Sequence, residues 1–347
     1  MSEREADFYR ERIAPFLPPR ALDFHAHVWT ADQWIDKASG QPGADYMVTE
    51  RNYTAADLIE DARRMFPDRD YSAVVFGQPT PSADTGLTND YAAECGRVGG
   101  LYPLLVTGRG LMDPAQLKTT IVERGFFGYK VYLNWLGDDY GSVRVEDMIG
   151  PDEMRIADEL GLIVLLHVPG AGRLADPTTG EAVRAYAMEY PRAKIVLAHC
   201  GRCYLPYQIA DAVEHIRGLD NVYLDTAMVM DPMVLRIVLD EIGPERVLFA
   251  TDLPVAAMRG RRVHVLDHWV DLVDEGYPES RYRVPTPGAE TTYMAREIAA
   301  AVVKAAQSAG LTEQTIHKVF FDNGMNLLAG VMDGAQLRAA RERWKGA

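Results

Sequence analysis

The sequence predicts one α/β domain built as a (β/α)8 TIM barrel with loop insertions and a C-terminal helical extension. Short apolar, β-prone runs recur along the 347 residues, and helix-like stretches lie between most of them. This alternation is typical of parallel strands joined by crossover helices, and a barrel of this kind needs eight strands. The eight predicted strands cover residues 21–27, 72–76, 101–106, 129–133, 162–168, 195–199, 222–225 and 247–252.

The stretches between these strands have helical spacing of apolar residues. The clearest one begins with Pro151 and ends before Gly161, which are common residues at the start and end of a helix. Helices are also predicted at residues 55–66, 182–190, 206–216 and 233–242.

Three segments lie outside the regular alternation. Residues 1–20 are predicted to form an N-terminal arm, and residues 254–290 an insertion over the mouth of the barrel. Residues 291–347 are helical in pattern, Ala-rich at 295–309 and apolar again at 325–344. Because no linker or repeat separates these segments, residues 1–347 are expected to form one barrel domain.

Composition excludes several classes of partner. Fifty acidic residues against 36 basic ones give a net charge of −14, which should repel a phosphate backbone. The first twenty residues lack the apolar region of a signal peptide, and no apolar run has the length of a membrane span. Three cysteines do not describe a disulfide framework. We therefore expect a cytoplasmic protein that binds neither nucleic acid nor membrane.

Four of the eight histidines lie at the ends of predicted strands. His25 and His27 are two residues apart, which places them on one face of a strand. His167, His199 and Asp252 each end a later strand. A single histidine in such a place is more often a hydrogen-bonded core residue, but barrel active sites form at these strand ends. Imidazole and carboxylate groups are good ligands for Zn²⁺, so the five residues together predict a metal site.

The motifs around these residues resemble those of the amidohydrolase superfamily. Asp-Phe-His-Ala-His at 23–27 is similar to the H-x-H motif of the first strand, and Leu-His at 166–167 to the ligand of the fifth. Ala-His-Cys-Gly at 198–201 and Thr-Asp-Leu-Pro at 251–254 are similar to the motifs of strands six and eight. The chain thus resembles the amidohydrolase-2 group, which includes aminocarboxymuconate-semialdehyde decarboxylase-like enzymes. Its closing motif, at 322–328, departs from the group by having Gly324 where alanine is usual.

This resemblance implies a role for each residue of the metal site. His25, His27, His167 and Asp252 would be the metal ligands, with Asp252 also part of the catalytic group. His199 would orient the metal-bound water or deliver a proton. The cofactor would be one divalent metal ion, with Zn²⁺ expected and Mn²⁺ as the alternative.

Candidate substrate contacts follow the same strands. Arginine is the natural partner of a substrate carboxylate, and aromatic side chains can form the wall of a pocket. Surface solubility and ordinary loop packing are the alternative explanations for these residues. The expected contacts are Arg173, Arg202, Tyr204, Trp29, Trp135 and Lys130, the last of which matches a lysine common in the group.

Two further features keep alternatives open. Arg259, Arg261 and Arg262 form a basic cluster that is either a solvated loop or an anion-binding site. Cys200 and Cys203 spell C-x-x-C, but this pair overlaps the motif of the sixth strand, so a redox role is not expected.

Three functions compete at this point. The first is hydrolysis of a lactone, ester or amide bond in a small carboxylated substrate, through metal-activated water. The alternative is non-oxidative decarboxylation of an unsaturated or aromatic acid. Because some decarboxylase relatives replace the first histidine of H-x-H with glutamate, His25 favours hydrolysis. A non-enzymatic protein with a vestigial metal site is the third. The expected partner is a small carboxylated molecule, and a homodimer is left open.

Overall fold

The computed structural model describes residues 3–35, 52–137, 141–266, 268–275, 283–288 and 291–332. In these residues nine short parallel strands form the barrel, because the third of the eight predicted strands is divided into β3 and β4. One sheet has the order β1-β2-β3 and a second the order β4-β5-β6-β7-β8-β9. The eight predicted strands and the (β/α)8 class are confirmed. The strands are β1 Arg20–His27, β2 Asp70–Phe76, β3 Leu101–Pro103, β4 Leu105–Thr107, β5 Gly128–Val131, β6 Ile163–Leu166, β7 Lys194–Leu197, β8 Val222–Asp225 and β9 Val247–Leu248.

Two junctions join these sheets into a barrel. The predicted strand 101–106 is divided at Leu104, so that β3 pairs with β2 while β4 pairs with β5. The other junction lies between β9 and β1. There the Phe24 amide donates to the Phe249 carbonyl at 2.9 Å, and the Asp252 amide donates to the His25 carbonyl at 2.9 Å. This second junction brings residues 25 and 252 together, although they are far apart in the chain.

The helices surround the barrel, and most begin at a clear capping signal. Asp176, for example, accepts hydrogen bonds from the amides of Thr178 and Thr179. This cap starts α7 at Pro177, five residues before the predicted start at 182. The helices are α1 Glu3–Arg12, α2 Ala55–Met65, α3 Thr85–Cys95, α4 Pro114–Arg124, α5 Val145–Met148, α6 Pro151–Leu160, α7 Pro177–Glu189, α8 Ala198–Arg202, α9 Pro206–Ile216, α10 Pro232–Glu241, α11 Met294–Ser308, α12 Glu313–His317 and α13 Asn323–Met332.

The C-terminal helices agree with the helical pattern of the sequence as far as Met332. The predicted continuation to residue 344 lies outside the described residues. Within the described part of the chain, no helix combines the length and apolar character needed to cross a membrane.

A small mixed sheet lies in the segment predicted as an insertion. β10 Gly260–Val265 and β11 His268–Val273 form an antiparallel hairpin, and β12 Arg283–Pro285 adds to β11 in parallel. The amide of Arg262 donates to the sulfur of Met230 at 3.1 Å, so the hairpin rests on the chain that follows β8. The single-domain division, including the 1–20 arm and the 254–290 insertion, stays a prediction.

One glycine of the barrel wall is required by close packing. Gly128 in β5 has φ +155°, and a Cβ atom there would lie 1.8 Å from the carbonyl oxygen of Ile163 in β6. A methyl group at this position therefore collides with backbone, which cannot move without breaking the pairing of β5 and β6.

We expect Gly128→Ala to destabilise the fold by about 3 kcal/mol or more, at the upper end of overpacking effects. Gly99→Ala is the matched control, because a Cβ atom at Gly99 has no neighbour within 4 Å; its effect should stay within about 0.5 kcal/mol. Urea denaturation followed by circular dichroism measures both. Equal midpoints for the two variants would contradict the close packing at residue 128.

Candidate metal centre

The five residues predicted for the metal site meet at the carboxyl ends of the strands. His25 and His27 lie in β1, His167 follows β6, His199 lies in α8 after β7, and Asp252 follows β9. All five are buried, with at most 8 % of the residue exposed. Their positions match the end of the barrel where such folds carry active sites.

The distances within this group are short. Asp252 Oδ1 lies 3.4 Å from His25 Nε2 and 3.2 Å from His27 Nε2. His25, His199 and Asp252 each offer a ligand atom within 4.8 Å of the others. His167 stands further out, with its ring centre 5.3 Å from that of His199. The tightest group therefore includes His199, to which the sequence assigned the proton rather than the metal.

Asp225, which the sequence analysis did not single out, holds this group together. Its Oδ2 lies 2.8 Å from Nδ1 of His25, while its Oδ1 accepts from the amides of His199 at 2.6 Å and Ala227 at 3.1 Å. Since a carboxylate only accepts, Nδ1 of His25 must carry the proton and Nε2 keeps its lone pair. A signal for Asp225 existed, because it ends predicted strand 222–225 as the histidines end theirs.

His199 is oriented in the same way by the backbone. Its Nδ1 lies 3.0 Å from the carbonyl oxygen of Ala227, which can only accept, so Nε2 carries the lone pair. Burial lowers the pKa of His199, and burial likewise lowers the pKa of His25 and His167 well below the usual value. All three imidazoles are thus neutral near pH 7, which is the form that binds metal ions.

The backbone around His199 has an unusual conformation. His199, Cys200, Gly201 and Arg202 all have φ between 49° and 67°, so α8 is a left-handed turn. Non-glycine residues rarely adopt this conformation, and it is often found at functional sites. The turn points His199 toward His25 and buries Cys200, whose thiol donates to the Asp225 carbonyl at 3.3 Å.

Unsatisfied polar atoms test whether a metal ion fits this site. Both ring nitrogens of His27, Nδ1 of His167 and Oδ1 of Asp252 are buried without a hydrogen-bond partner. The 3.2 Å approach of His27 to Asp252 is too poorly aligned to be a hydrogen bond. Each unsatisfied atom costs about 1–3 kcal/mol, and a cation among them would satisfy several at once. The donor set of imidazole nitrogens and a carboxylate suits Zn²⁺ or Mn²⁺.

The charge of Asp252 agrees with this fit. Burial by itself raises the pKa of the Asp252 carboxyl, but His25, His27 and His199 outweigh burial and hold that pKa well below its usual value. Asp252 is therefore ionised, as a metal ligand must be.

Lys130 lies among the metal-site residues. Its Nζ is fully buried, 3.1 Å from His25 Nε2 and 4.7 Å from the ring centre of Phe76. Burial lowers the pKa of Lys130 to about 8. The predicted substrate lysine is therefore placed within reach of a group bound at His25.

Asp23 bridges the two strands that close the barrel. Its carboxylate accepts from the amides of His25 and Thr251, each at 3.0 Å, and from the hydroxyls of Thr251 and Tyr71. A bulge between Asp23 and Ala26 interrupts the alternation of β1. Asp23 thus supports the backbone of His25, while Asp225 fixes the ring. Burial raises the pKa of Asp23 to about 6.

Three of the predicted substrate contacts, Arg173, Arg202 and Tyr204, lie in the segments that follow β6 and β7. The ring of Tyr204 lies 6.2 Å from that of His199. Arg202 donates to the Val168 carbonyl at 2.8 Å, and Arg173 donates to the Arg202 carbonyl at 2.9 Å. These bonds tie both arginines to the loops that follow β6 and β7.

The two predicted tryptophans differ in their surroundings. Trp29 is fully buried beside Tyr53 and Trp34, at ring distances of 5.6 Å and 6.5 Å. Such contacts are the ordinary loop packing that the sequence left open. Trp135 is partly buried against the core. Tyr132, not predicted, contacts His167 with ring centres 4.1 Å apart and ring planes tilted by 37°.

The chain belongs to the amidohydrolase family, whose model, described as Amidohydrolase, matches residues 22–328. The members represented among similar structures are enzymes. A search of curated proteins by sequence finds no significant match.

Similar solved structures extend over nearly the whole chain. A probable 2-pyrone-4,6-dicarboxylic acid hydrolase from Acinetobacter baumannii, with citric acid bound, has 14 % identity and a TM-score of 0.55, covering 89 % of this chain and 99 % of that one. A 4-oxalomesaconate hydratase from Rhodopseudomonas palustris has 16 % identity and a TM-score of 0.55, covering 93 % and 99 %.

A third similar structure contains a metal ion. It is a dihydroxybenzoic acid decarboxylase from Polaromonas sp. JS666 with bound manganese and 2-nitroresorcinol, at 16 % identity and a TM-score of 0.54, covering 92 % of this chain and 99 % of that one. At such low sequence identities, the structural similarity establishes the fold but does not identify the reaction.

Asp225→Asn tests the support given to His25. Because the amide cannot hold the Nδ1 proton of His25 as the carboxylate does, we expect metal affinity to fall about 10- to 100-fold. Asp220→Asn is the control, since Asp220 is exposed just before the same strand. Zinc competition titrations measure the affinity, and circular dichroism checks the fold. Unchanged affinity in a folded Asp225→Asn protein would show that Asp225 does not support the metal site.

Proposed function

We propose that the protein is a metal-dependent hydrolase that cleaves a C–O or C–N bond in a small carboxylated molecule, such as a lactone, ester or amide. The observation that carries this proposal is the group formed by His25, Asp252 and His199, in which both histidines keep an unprotonated Nε2. His25 can then bind a cation while His199 remains free to accept a proton.

Four residues would hold the metal ion: His25, His27, His167 and Asp252. A divalent ion bound there supplies Lewis acidity, which polarises a substrate carbonyl and lowers the pKa of water. Zn²⁺ is the proposed metal and Mn²⁺ the alternative, the latter supported by the manganese of the Polaromonas structure.

His199 provides the proton transfer in this proposal. Its neutral Nε2 accepts a proton from the attacking water as the new C–O bond forms, and returns it to the leaving oxygen or nitrogen as the old bond breaks. The Ala227 carbonyl, 3.0 Å from Nδ1, stabilises the imidazolium between these steps. The left-handed turn of α8 fixes the ring during both transfers.

Arg202 is the proposed partner of the substrate carboxylate. It follows His199 by three residues, and its bond to the Val168 carbonyl holds it beside His167. An arginine fixed in this manner loses little side-chain entropy when it binds a carboxylate. Arg173 supports it through the hydrogen bond to its carbonyl.

Decarboxylation is the second candidate, and the closed character of the site favours it. The metal-site residues are at most 8 % exposed and Lys130 is fully buried, so little water reaches them. In this reaction the C–C bond to the carboxylate breaks, CO₂ leaves, and the electron pair stays on carbon, which takes a proton that the neutral His199 must first accept from solvent. Similar structures include two decarboxylases, a probable hydrolase and a hydratase.

Metal removal and two histidine variants test the assignment of roles. Chelation should abolish turnover, and Zn²⁺ or Mn²⁺ should restore it. His25→Ala should lose the metal, whereas His199→Asn should keep it and lose about 10²- to 10⁴-fold in kcat, the usual contribution of a general base. Elemental analysis and a panel of lactones, amides and unsaturated acids provide the measurements.

The products distinguish the two candidate reactions. Ring opening or amine release without CO₂ supports hydrolysis, while CO₂ release supports decarboxylation. Equal loss of metal in His199→Asn and His25→Ala would show that His199 is a ligand instead.

Arg202→Met tests the carboxylate contact. Loss of a charge-assisted bond worth about 1.5–3 kcal/mol should raise KM about 10- to 100-fold for the acid at roughly 1.4 kcal/mol per decade, and leave the methyl ester of the same compound nearly unchanged. Arg155→Met is the control, because Arg155 is exposed on α6 and pairs only with its neighbour Asp152 among the described ion pairs. Unchanged kinetics on the acid would exclude Arg202 as its partner.

A further inference from the structure

A cavity lies between the hairpin of β10 and β11 and the chain that follows β7 and β8. Its volume is about 340 Å³, and Tyr204, Met228 and Trp269 are among its lining residues. Tyr204 also faces His199, and Met228 directly follows Ala227, which binds the His199 ring. The cavity therefore begins one side chain away from the proposed proton acceptor.

Arg262 forms part of the wall of this cavity and is held on three sides. The guanidinium lies 3.8 Å from the ring centre of Trp269 and 4.6 Å from that of Tyr204. Asp271 binds its Nε at 2.8 Å and its terminal nitrogen at 2.9 Å, which is a bidentate ion pair. Asp271 is fully buried and Arg262 nearly so.

Each basic group in the lining faces an acidic partner. Besides the Arg262–Asp271 pair, Arg261 lies 3.5 Å from Glu297, and His264 lies 3.3 Å from Asp231. A substrate anion that replaced Asp271 as the partner of the Arg262 guanidinium would leave the buried Asp271 carboxylate unpaired. Breaking a buried pair in this way is strongly unfavourable. The cavity is therefore unfavourable for a second negatively charged group of the substrate, in addition to the carboxylate at the metal centre.

The remaining lining is apolar and soft. Met228 and Met230 supply polarisable thioethers, Tyr204 and Trp269 supply ring faces, and Pro232 and Val263 complete the surface. Thioethers and rings pack well against planar groups. The hydrogen bond from the Arg262 amide to the sulfur of Met230 fixes the hairpin over this surface.

We propose that this cavity is a substrate subsite that takes an uncharged, planar apolar group, such as an aromatic ring or a conjugated chain, while the substrate carboxylate lies at the metal centre. The proposal rests on the proposed function, since it describes the distal part of the same substrate. It assigns specificity to the insertion hairpin, with Trp269 as the main contact. Arg262 is a positioning residue whose guanidinium contacts both rings, while the rings of Tyr204 and Trp269 lie 5.4 Å apart.

Equilibrium binding to the metal-loaded protein tests this subsite with three probes: butyrate, 4-phenylbutyrate and pimelate. Isothermal titration calorimetry should show 4-phenylbutyrate binding at least tenfold more tightly than butyrate or pimelate. Trp269→Ala should remove about tenfold of this affinity, which corresponds to about 1.4 kcal/mol. Its binding of butyrate should be unchanged, because butyrate does not reach the cavity.

Two further variants separate the contact from a general effect on the hairpin. Trp269→Phe keeps a ring over Arg262 and should restore most of the affinity for 4-phenylbutyrate. Val265→Ala lies on the same hairpin but faces solvent, with 60 % of Val265 exposed, and should bind all probes as the wild type does. Pimelate binding as tightly as 4-phenylbutyrate, or no detectable binding of 4-phenylbutyrate, would overturn the proposal. So would equal effects of Trp269→Ala and Val265→Ala.

This binding test is independent of turnover. If the panel of lactones, amides and acids shows no reaction but Trp269 governs the binding of 4-phenylbutyrate, the proposed function fails and the subsite stands. If turnover is found but probe binding does not depend on Trp269, the subsite alone fails.

Discussion

One buried carboxylate, that of Asp225, organises the centre of this protein. It holds the Nδ1 proton of His25 and the amides of His199 and Ala227, so a single group orients residues from β1, from α8 and from the loop after β8. A buried carboxylate is stable only when its oxygens are hydrogen-bonded. The bonds that satisfy Asp225 are also those that leave Nε2 of His25 unprotonated and fix the backbone of His199.

The closure of the barrel makes this arrangement possible. β9 meets β1 through backbone bonds at residues 24, 25, 249 and 252, and Asp23 adds a bridge to Thr251. Closure brings Asp252 beside His25 and His27, and it also leaves several of their polar atoms buried and unsatisfied. Without a cation these unsatisfied atoms destabilise the fold, and a divalent ion bound there would satisfy several of them. Metal binding at this site would therefore stabilise the folded protein.

The residues around the metal site belong to a different part of the chain. The metal-site residues lie at strand ends of the barrel, whereas the Arg262–Asp271 pair belongs to a hairpin that follows the last barrel strand. Of the basic cluster that the sequence left open, Arg259 and Arg262 are bound in ion pairs with Asp274 and Asp271. Because these carboxylates already pair with the two guanidinium groups, the arginines do not offer a free positive charge to an anion. The metal-site residues and the lining of the proposed subsite therefore belong largely to different elements of the chain.

The sequence by itself determined the eight strands, the alternation with helices and the five residues that meet at the carboxyl ends of the strands. These features are local: apolar runs, proline and glycine at helix ends, and two histidines spaced for one strand face each depend on neighbouring residues. Only the tertiary structure decided that Asp225 fixes His25, that Leu104 divides the third strand, and that His199 lies on a left-handed turn. It also decided the partners of Arg262 and Asp225, since these bonds join residues distant in the chain or depend on how the hairpin folds back. A local sequence pattern cannot predict these contacts, because they form between distant residues only when the barrel closes.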